Sequence, residues 1–179
     1  MAEHATTEGT RRDFLYIWTG ALGAVAAGSA VIPLVSQMNP DASTIAAGAP
    51  IDVDLAQIPA GQVVTLKWRG KPIFVRHRTD KEIAESKAVQ VSSLPDPEGD
   101  AARIKEFEGK AQEKWIVVYG NCTHLGCVPI SNSGEFHGWY CPCHGSHYDN
   151  AGRIRKGPAP RNLELPPFAF TAATKVRIG

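Results

Sequence analysis

Apolar residues are spread very unevenly along this chain. From Phe14 to Val35 the sequence reads FLYIWTGALGAVAAGSAVIPLV, 22 residues without a single Asp, Glu, Lys or Arg, between two polar flanks. As a helix rising about 1.5 Å per residue, it reaches roughly 33 Å, close to the roughly 30 Å hydrocarbon core of a bilayer. A helix apolar on every face suits lipid better than the interior of a small domain. The pattern therefore predicts a transmembrane helix over 14–35. Gly20, Ala24 and Gly28 would let a neighbouring helix approach closely, and Pro33 would kink or end the last turn. Residues 36–50, SQMNPDASTIAAGAP, have small side chains, two prolines and no sustained apolar face, the composition of a flexible linker or hinge.

From Ile51 onward the pattern changes to short alternating runs. Val63–Trp68 and Pro72–Arg76 flank Arg69-Gly70-Lys71 and predict a hairpin. Further strands are expected at Trp115–Tyr119, Glu135–Tyr140, Phe168–Thr171 and Lys175–Ile178. Asp80–Lys87 and Ala101–Glu108 are polar and read as short helices, with Pro95, Pro97 and Gly99 marking a loop between them. The charge of this stretch reads as a solvated insertion. The 129 residues from 51 to 179 suffice for one core. The fold class is mainly β: an antiparallel head with an α/loop insertion, behind a helical anchor.

Composition adds exclusions. The 179 residues are 43% hydrophobic and 21% charged, with a net charge of +1 and no Lys/Arg block, so no nucleic-acid partner is indicated. Thr10-Arg11-Arg12-Asp13-Phe14-Leu15 resembles the twin-arginine export signal. Paired arginines also anchor a cytoplasmic end, which places residues 1–13 inside and everything after about 36 in the periplasm of a bacterial inner membrane. Cleavage is the competing outcome, kept open by Ala46-Ala47-Gly48-Ala49; an uncleaved anchor is the expectation.

All four cysteines fall between 122 and 143, in Cys122-Thr-His124-Leu-Gly-Cys127 and Cys141-Pro-Cys143-His144-Gly-Ser146, each behind a strand-like run. Three assignments compete: a zinc site from four of these six groups, two disulfides with idle histidines, or an iron–sulfur cluster on two Cys and two His. Zinc knuckles favour C-x2-C pairs, whereas here Cys-x-His and Cys-x2-His stand 16 residues apart. That pattern, C-x-H-x16-C-x2-H, strongly resembles the Rieske family, in which two His replace two Cys on one iron of a [2Fe–2S] cluster.

The resemblance implies a set of roles. Cys122 and Cys141 would hold one iron, and His124 and His144 the other. Cys127 and Cys143 match the disulfide of the cytochrome bc type, within a cluster-binding subdomain of about 117–160. Ser146 and Tyr148 match hydroxyl donors that raise the cluster's potential. Gly157-Pro158-Ala159-Pro160 resembles the proline loop that covers the cluster from a third side. Leu125 lies at the tip that docks on cytochrome b. His4, His77, His137 and His147 fall outside the ligand pattern. The implied function is electron transfer from ubiquinol, taken up with a proton at His144 with His124 beside it, onward to a c-type cytochrome subunit. The setting would be a dimeric quinol–cytochrome c oxidoreductase, with the head pivoting on residues 36–50. The main rival is the Rieske subunit of another exported oxidase, such as an arsenite oxidase. Rieske ferredoxins and oxygenases generally lack both the extra cysteine pair and an anchor.

Overall fold

A computed structural model describes residues 9–179. The chain divides between Ile45 and Ala46 into two compact units. In the first, α1 runs Arg11–Ser36, beginning three residues before the apolar run. The extension has a local cause. Thr10 is the N-cap: its hydroxyl accepts from the Asp13 amide while the Asp13 carboxylate accepts from the Thr10 backbone and hydroxyl. The Thr of the export-like motif is thus also the residue that starts the helix. No residue of α1 is buried, and its apolar window has a mean hydropathy of 1.6, long and apolar enough to cross a membrane.

The linker composition hides a short helix, α2 (Ala42–Ala47), whose first turn is capped by the Asp41 carboxylate accepting from Thr44 N at 2.6 Å. The end of the linker is fastened to the head. Trp68 Nε1 donates to Ala49 O at 2.9 Å, and Arg69 N to Ala47 O at 3.2 Å.

The second unit is a stack of antiparallel sheets. β1 (Ile51–Asp54), β12 (Lys175–Ile178) and β11 (Phe168–Ala172) form one, in that order. β2 (Val63–Trp68), β3 (Lys71–His77) and β6 (Trp115–Tyr119) form the second. β10 (Ile154–Lys156), β9 (Ser146–Asp149), β8 (His137–Cys141) and β7 (Ile130–Ser133) form the third. The middle sheet is buried on both faces because side chains alternate along its strands. Ile73, Val75 and Val117 pack toward Trp68, Val176 and Ile178. Phe74, Ile116 and Val118 pack toward Trp139, Tyr148 and Ile154, under the two cysteine boxes. The boxes therefore rest on a packed floor.

The structure corrects several expectations. The first hairpin turns on two residues, not three: Arg69 and Gly70 have φ of 48° and 76°, and Lys71 already pairs with Trp68. Ala101–Glu108 is not a helix. A short 3-10 turn (Asp100–Arg103) leads into the hairpin of β4 (Glu106–Phe107) and β5 (Lys110–Ala111), turned at Glu108-Gly109 by the same positive-φ pair. Glu135 and Phe136 belong to a turn, and the strand expected there begins at His137 and continues through Cys141. Asp80–Lys87 does form a helix, α3 (Asp80–Ala88), capped by Thr79 with Glu82.

The largest correction concerns charge. The stretch read as a solvated insertion is tied into the head by buried arginines. Arg78 forms a bidentate pair with Asp100, Arg103 reaches Glu98, Ala151 O and Leu163 O, and Arg153 reaches Asp149 and Ser86 O. Arg76 bridges Glu82 of α3 and His137 O at the start of β8, stacked over Trp139. Such pairs cost desolvation, offset where carboxylates and carbonyls accept from the guanidinium, as at Arg78 and Arg103, whereas Arg76 Nε and Nη1 are buried with no hydrogen-bond partner.

One of them yields an acid-stability prediction. Burial pushes the Glu82 carboxyl up, but hydrogen bonds from the Thr79 amide and the Arg76 guanidinium outweigh it and hold it below the ordinary carboxylate value. A depressed acid stabilises the fold above its unfolded pKa of about 4.3 and loses that contribution as pH falls through the folded value. Glu82→Gln should therefore lower the melting temperature at pH 7 and flatten its decline below pH 4.5 in melts of detergent-solubilised protein. A parallel acid limb in the two proteins would refute the assignment.

Candidate metal centre

The two boxes are built alike. In each, the carbonyl of the first cysteine accepts from a glycine amide four residues on: Gly126 N to Cys122 O at 2.8 Å, and Gly145 N to Cys141 O at 3.0 Å. Both glycines have positive φ, 81° and 74°. This turn leaves a histidine on each loop. The rings of His124 and His144 stand edge to face with centroids 4.6 Å apart, although the residues lie on different loops. Cys122 and Cys141 are buried beneath, at 3% and 2% exposure, and neither forms a disulfide. Cys127 and Cys143 are joined by a disulfide that links the two loops.

The residues fit a mixed-ligand iron pair. His124 Nδ1 is buried without a hydrogen-bond partner, an orphaned atom of the kind that metal coordination would satisfy. Burial pushes the Cys122 thiol up, but hydrogen bonds from the Tyr148 hydroxyl, the His124 amide, Cys141 and Ser146 reverse this and favour the thiolate, the form that binds metal. Cys141 moves the other way, raised by burial and by the charge of Cys122 beside it. Two thiols that cannot both ionise easily suit a centre that brings positive charge of its own. Cys127, Cys141 and Cys143 also bring their sulfurs within 4.8 Å of one another. Two of those three are spent in the disulfide, so they make no separate thiolate site.

Further groups close the site. The Tyr148 hydroxyl lies 3.3 Å from Cys122 Sγ, and burial followed by that neighbour raises its own pKa, keeping the proton on the oxygen. Ser146 is fully buried, pairs with Cys141 across β8 and β9, and accepts from Ala159 N at 3.2 Å. Ala159 is the buried member of the proline loop, between exposed Pro158 and Pro160. Gly157 lets that loop lie flat: a Cβ there would sit 2.6 Å from Gly145 O and Ser146 Cα. Leu125 is 70% exposed at the tip of the first loop.

Sequence reasoning missed three contributors. Thr123 is inconspicuous in sequence, yet its hydroxyl donates to Arg161 O at 2.6 Å and lies 3.2 Å from the Tyr148 hydroxyl, whose oxygen also accepts from the Thr123 amide at 3.2 Å, tying box to proline loop. Val128 and Ile130 are further exposed apolar side chains after the first box, at 54% and 52% exposure. Of the histidines set aside, His77 Nδ1 contacts Ile58 O at 2.6 Å, His147 Nδ1 accepts from Glu135 N, His137 carries a positive φ at the start of β8, and His4 lies outside the described residues.

Comparison with known proteins agrees with this geometry. Residues 51–169 match the Rieske [2Fe–2S] domain, and residues 1–41 match the TAT signal of the ubiquinol–cytochrome c reductase Fe–S subunit. The ubiquinol–cytochrome c reductase iron–sulfur subunit of Blastochloris viridis is 56% identical across 100% of this chain and 98% of its own. That of Bradyrhizobium diazoefficiens is 58% identical over 95% and 94%. A chain of a hyperthermophilic respiratory Complex III superposes with a TM-score of 0.53 at 30% identity, over 90% of this chain and 98% of that one. The chain carries one Rieske cluster and fits a membrane-anchored subunit of a respiratory complex. By its two cysteine boxes, its β head and its full-length likeness to these subunits, the chain belongs to the Rieske [2Fe–2S] family, among the iron–sulfur subunits of ubiquinol–cytochrome c reductase.

Proposed function

We propose that this chain receives one electron and one proton from ubiquinol at a cytochrome b subunit and passes the electron to a c-type cytochrome subunit, within a dimeric proton-translocating complex. The observation that carries this reading is the paired imidazoles, brought edge to face from two loops above two buried thiols. Cys122 and Cys141 would hold one iron, and His124 and His144 the other. When bound, the cluster supplies a one-electron acceptor whose potential lies at roughly −150 to +300 mV, well above the about −400 mV of all-cysteine ferredoxins, because two neutral imidazoles replace two thiolates.

The chain's own residues do the rest. Inward-facing Nδ1 of His124 leaves Nε2 for the outside, and exposed His144 presents the same option at the open edge. That outer nitrogen accepts the quinol hydroxyl's hydrogen bond and then its proton. Leu125, with Val128 and Ile130, gives the edge an apolar rim for docking on cytochrome b. The disulfide and proline loop keep water from the buried thiols. Residues 1–13 are assigned to the cytoplasm, 14–35 to the membrane, 36–50 to the hinge and 51–179 to the periplasmic head, with the cluster-binding part at about 117–160. Low-temperature EPR of reduced membranes tests the reading. A mixed-ligand signal that a quinol-site inhibitor reshapes, in a preparation carrying b and c hemes, supports it. Stoichiometric zinc, or a signal without b heme, defeats it.

Tyr148 provides a quantitative check. Its hydroxyl stabilises negative charge on Cys122 Sγ, and a hydrogen bond to a charged group contributes about 1.5 kcal/mol. With a tenfold change equal to about 59 mV for one electron, Tyr148→Phe should lower the midpoint potential by roughly 60 mV. An unchanged redox titration would leave Tyr148 with packing alone.

A further inference from the structure

Two half-buried acids of the insertion, Asp96 and Glu98, converge on one residue close to the cluster site. Asn162 is 5% exposed and stands two positions after Pro160. Its Oδ1 accepts from Ile154 N at 2.9 Å, at the start of β10. Its Nδ2 donates to Asp96 O at 3.2 Å and to Glu98 Oε2 at 3.0 Å, and its backbone N donates to Asp96 Oδ2 at 2.8 Å. Glu98 is held in turn by Arg103, whose other nitrogens reach Ala151 O and Leu163 O. Asp96, Glu98 and Arg103 thus make a strap from the insertion to the chain that leaves the proline loop.

The bland account is that Asn162 satisfies backbone groups that would otherwise be buried unpaired. It does so, but the consequence travels further. With Asn162 fixed at its far end and Gly157 pressed on Gly145 and Ser146 at its near end, the proline loop holds the Ala159 amide against Ser146 Oγ. A hydroxyl oxygen that accepts from an amide keeps its proton for another partner, and Ser146 stands opposite Cys141 in the β8–β9 pair, at the cluster site. The accepted bond also polarises the donated one.

We propose that Asn162, clamped by Asp96 and Glu98, is a positioning residue for electron uptake: it holds the proline loop so that the Ala159 amide fixes the Ser146 hydroxyl as a donor toward the cluster site. This rests on the assignment of Cys122 and Cys141 as iron ligands. The insertion then acts on the cluster without touching it.

The test is an EPR-monitored redox titration of membranes carrying the full chain as wild type, Asn162→Ala, Asp96→Ala, Ser146→Ala and the two doubles with Ser146→Ala. Asn162→Ala should weaken electron binding three- to tenfold, which is about 28 to 59 mV for one electron. Asp96→Ala should act in the same direction by less. Both effects should vanish in the Ser146→Ala background, because the hydroxyl through which they work is gone. Should Asn162→Ala lose the cluster, the Asp96→Ala shift decides. Wild-type midpoints in both single variants, shifts undiminished without the Ser146 hydroxyl, or loss of the cluster from both single variants would each overturn the proposal. A wild-type sample with no mixed-ligand signal would instead sink the parent assignment.

Discussion

Membranes carrying His144→Ala will show no reduced-state signal of a mixed-ligand cluster and no quinol-dependent reduction of cytochrome c. Losing a residue that merely supports a ligand typically costs about 10- to 100-fold in metal affinity; losing a ligand should exceed the upper figure. Among the described residues the neighbourhood offers no replacement. His147 Nδ1 is engaged with the Glu135 amide and its ring packs on Tyr140, while Cys143, adjacent in sequence, is in the disulfide. Cys122→Ser should behave in the same way, since a buried serine hydroxyl does not supply the thiolate that the Tyr148 hydroxyl, 3.3 Å from Cys122 Sγ, favours. The readout is EPR together with iron content per polypeptide in the purified complex. An unaltered signal in His144→Ala would remove this residue from the ligand set. An altered but retained signal would mean that another group had taken its place.

The parts of this molecule that depend on pattern were legible in the sequence. The anchor announces itself because bilayer thickness imposes a length on an uncharged run. Strands β2, β3, β6, β11 and β12 carry runs rich in β-branched or aromatic residues. The boxes are legible because metal ligation needs particular atoms at fixed spacing, and the shared C-x3-G turn is visible too, once the structure gives a reason to look for it. Other features depend on partners distant in the chain. β7, Ile130-Ser-Asn-Ser133, has no apolar alternation, since it is the edge strand of its sheet and only its pairing with β8 defines it. The residues 101–108 looked helical for want of Gly or Pro before 109; the Glu108-Gly109 turn and β4–β5 pairing overrode that preference.

The buried arginines were the least legible. Local composition makes Arg76, Arg78, Arg103 and Arg153 surface residues, as charged side chains usually are. Their partners lie 6 residues away for Glu82, 22 for Asp100 and 60 for the Leu163 carbonyl, separations that carry no local signal. For the same reason Asn162 reads as an ordinary loop residue until Asp96 and Glu98 are seen against it.

Cys127→Ser/Cys143→Ser should produce the second large effect, on retention of the cluster and not on its identity. The two boxes close their own turns through backbone hydrogen bonds, but the only covalent tie between them among the described residues is this disulfide. It spans 16 positions, and closing a loop of that size removes about 3 kcal/mol of unfolded-chain freedom. In a domain of this size each kcal/mol corresponds to roughly 3 °C in melting temperature, so the visible signal of the cluster should disappear about 10 °C below the wild-type midpoint. Cys143 directly precedes His144, and the carbonyl of Cys127 accepts from Cys122 N at 2.7 Å. Parting the loops therefore moves a proposed ligand on each side, and the His124–His144 contact should open before the sheets below it melt. Visible circular dichroism during heating should then fall earlier than the far-ultraviolet signal in the double variant, whereas the two coincide in the wild type. Coincident melting at the wild-type temperature would show that the sheets beneath, with the proline loop, suffice to hold the boxes together.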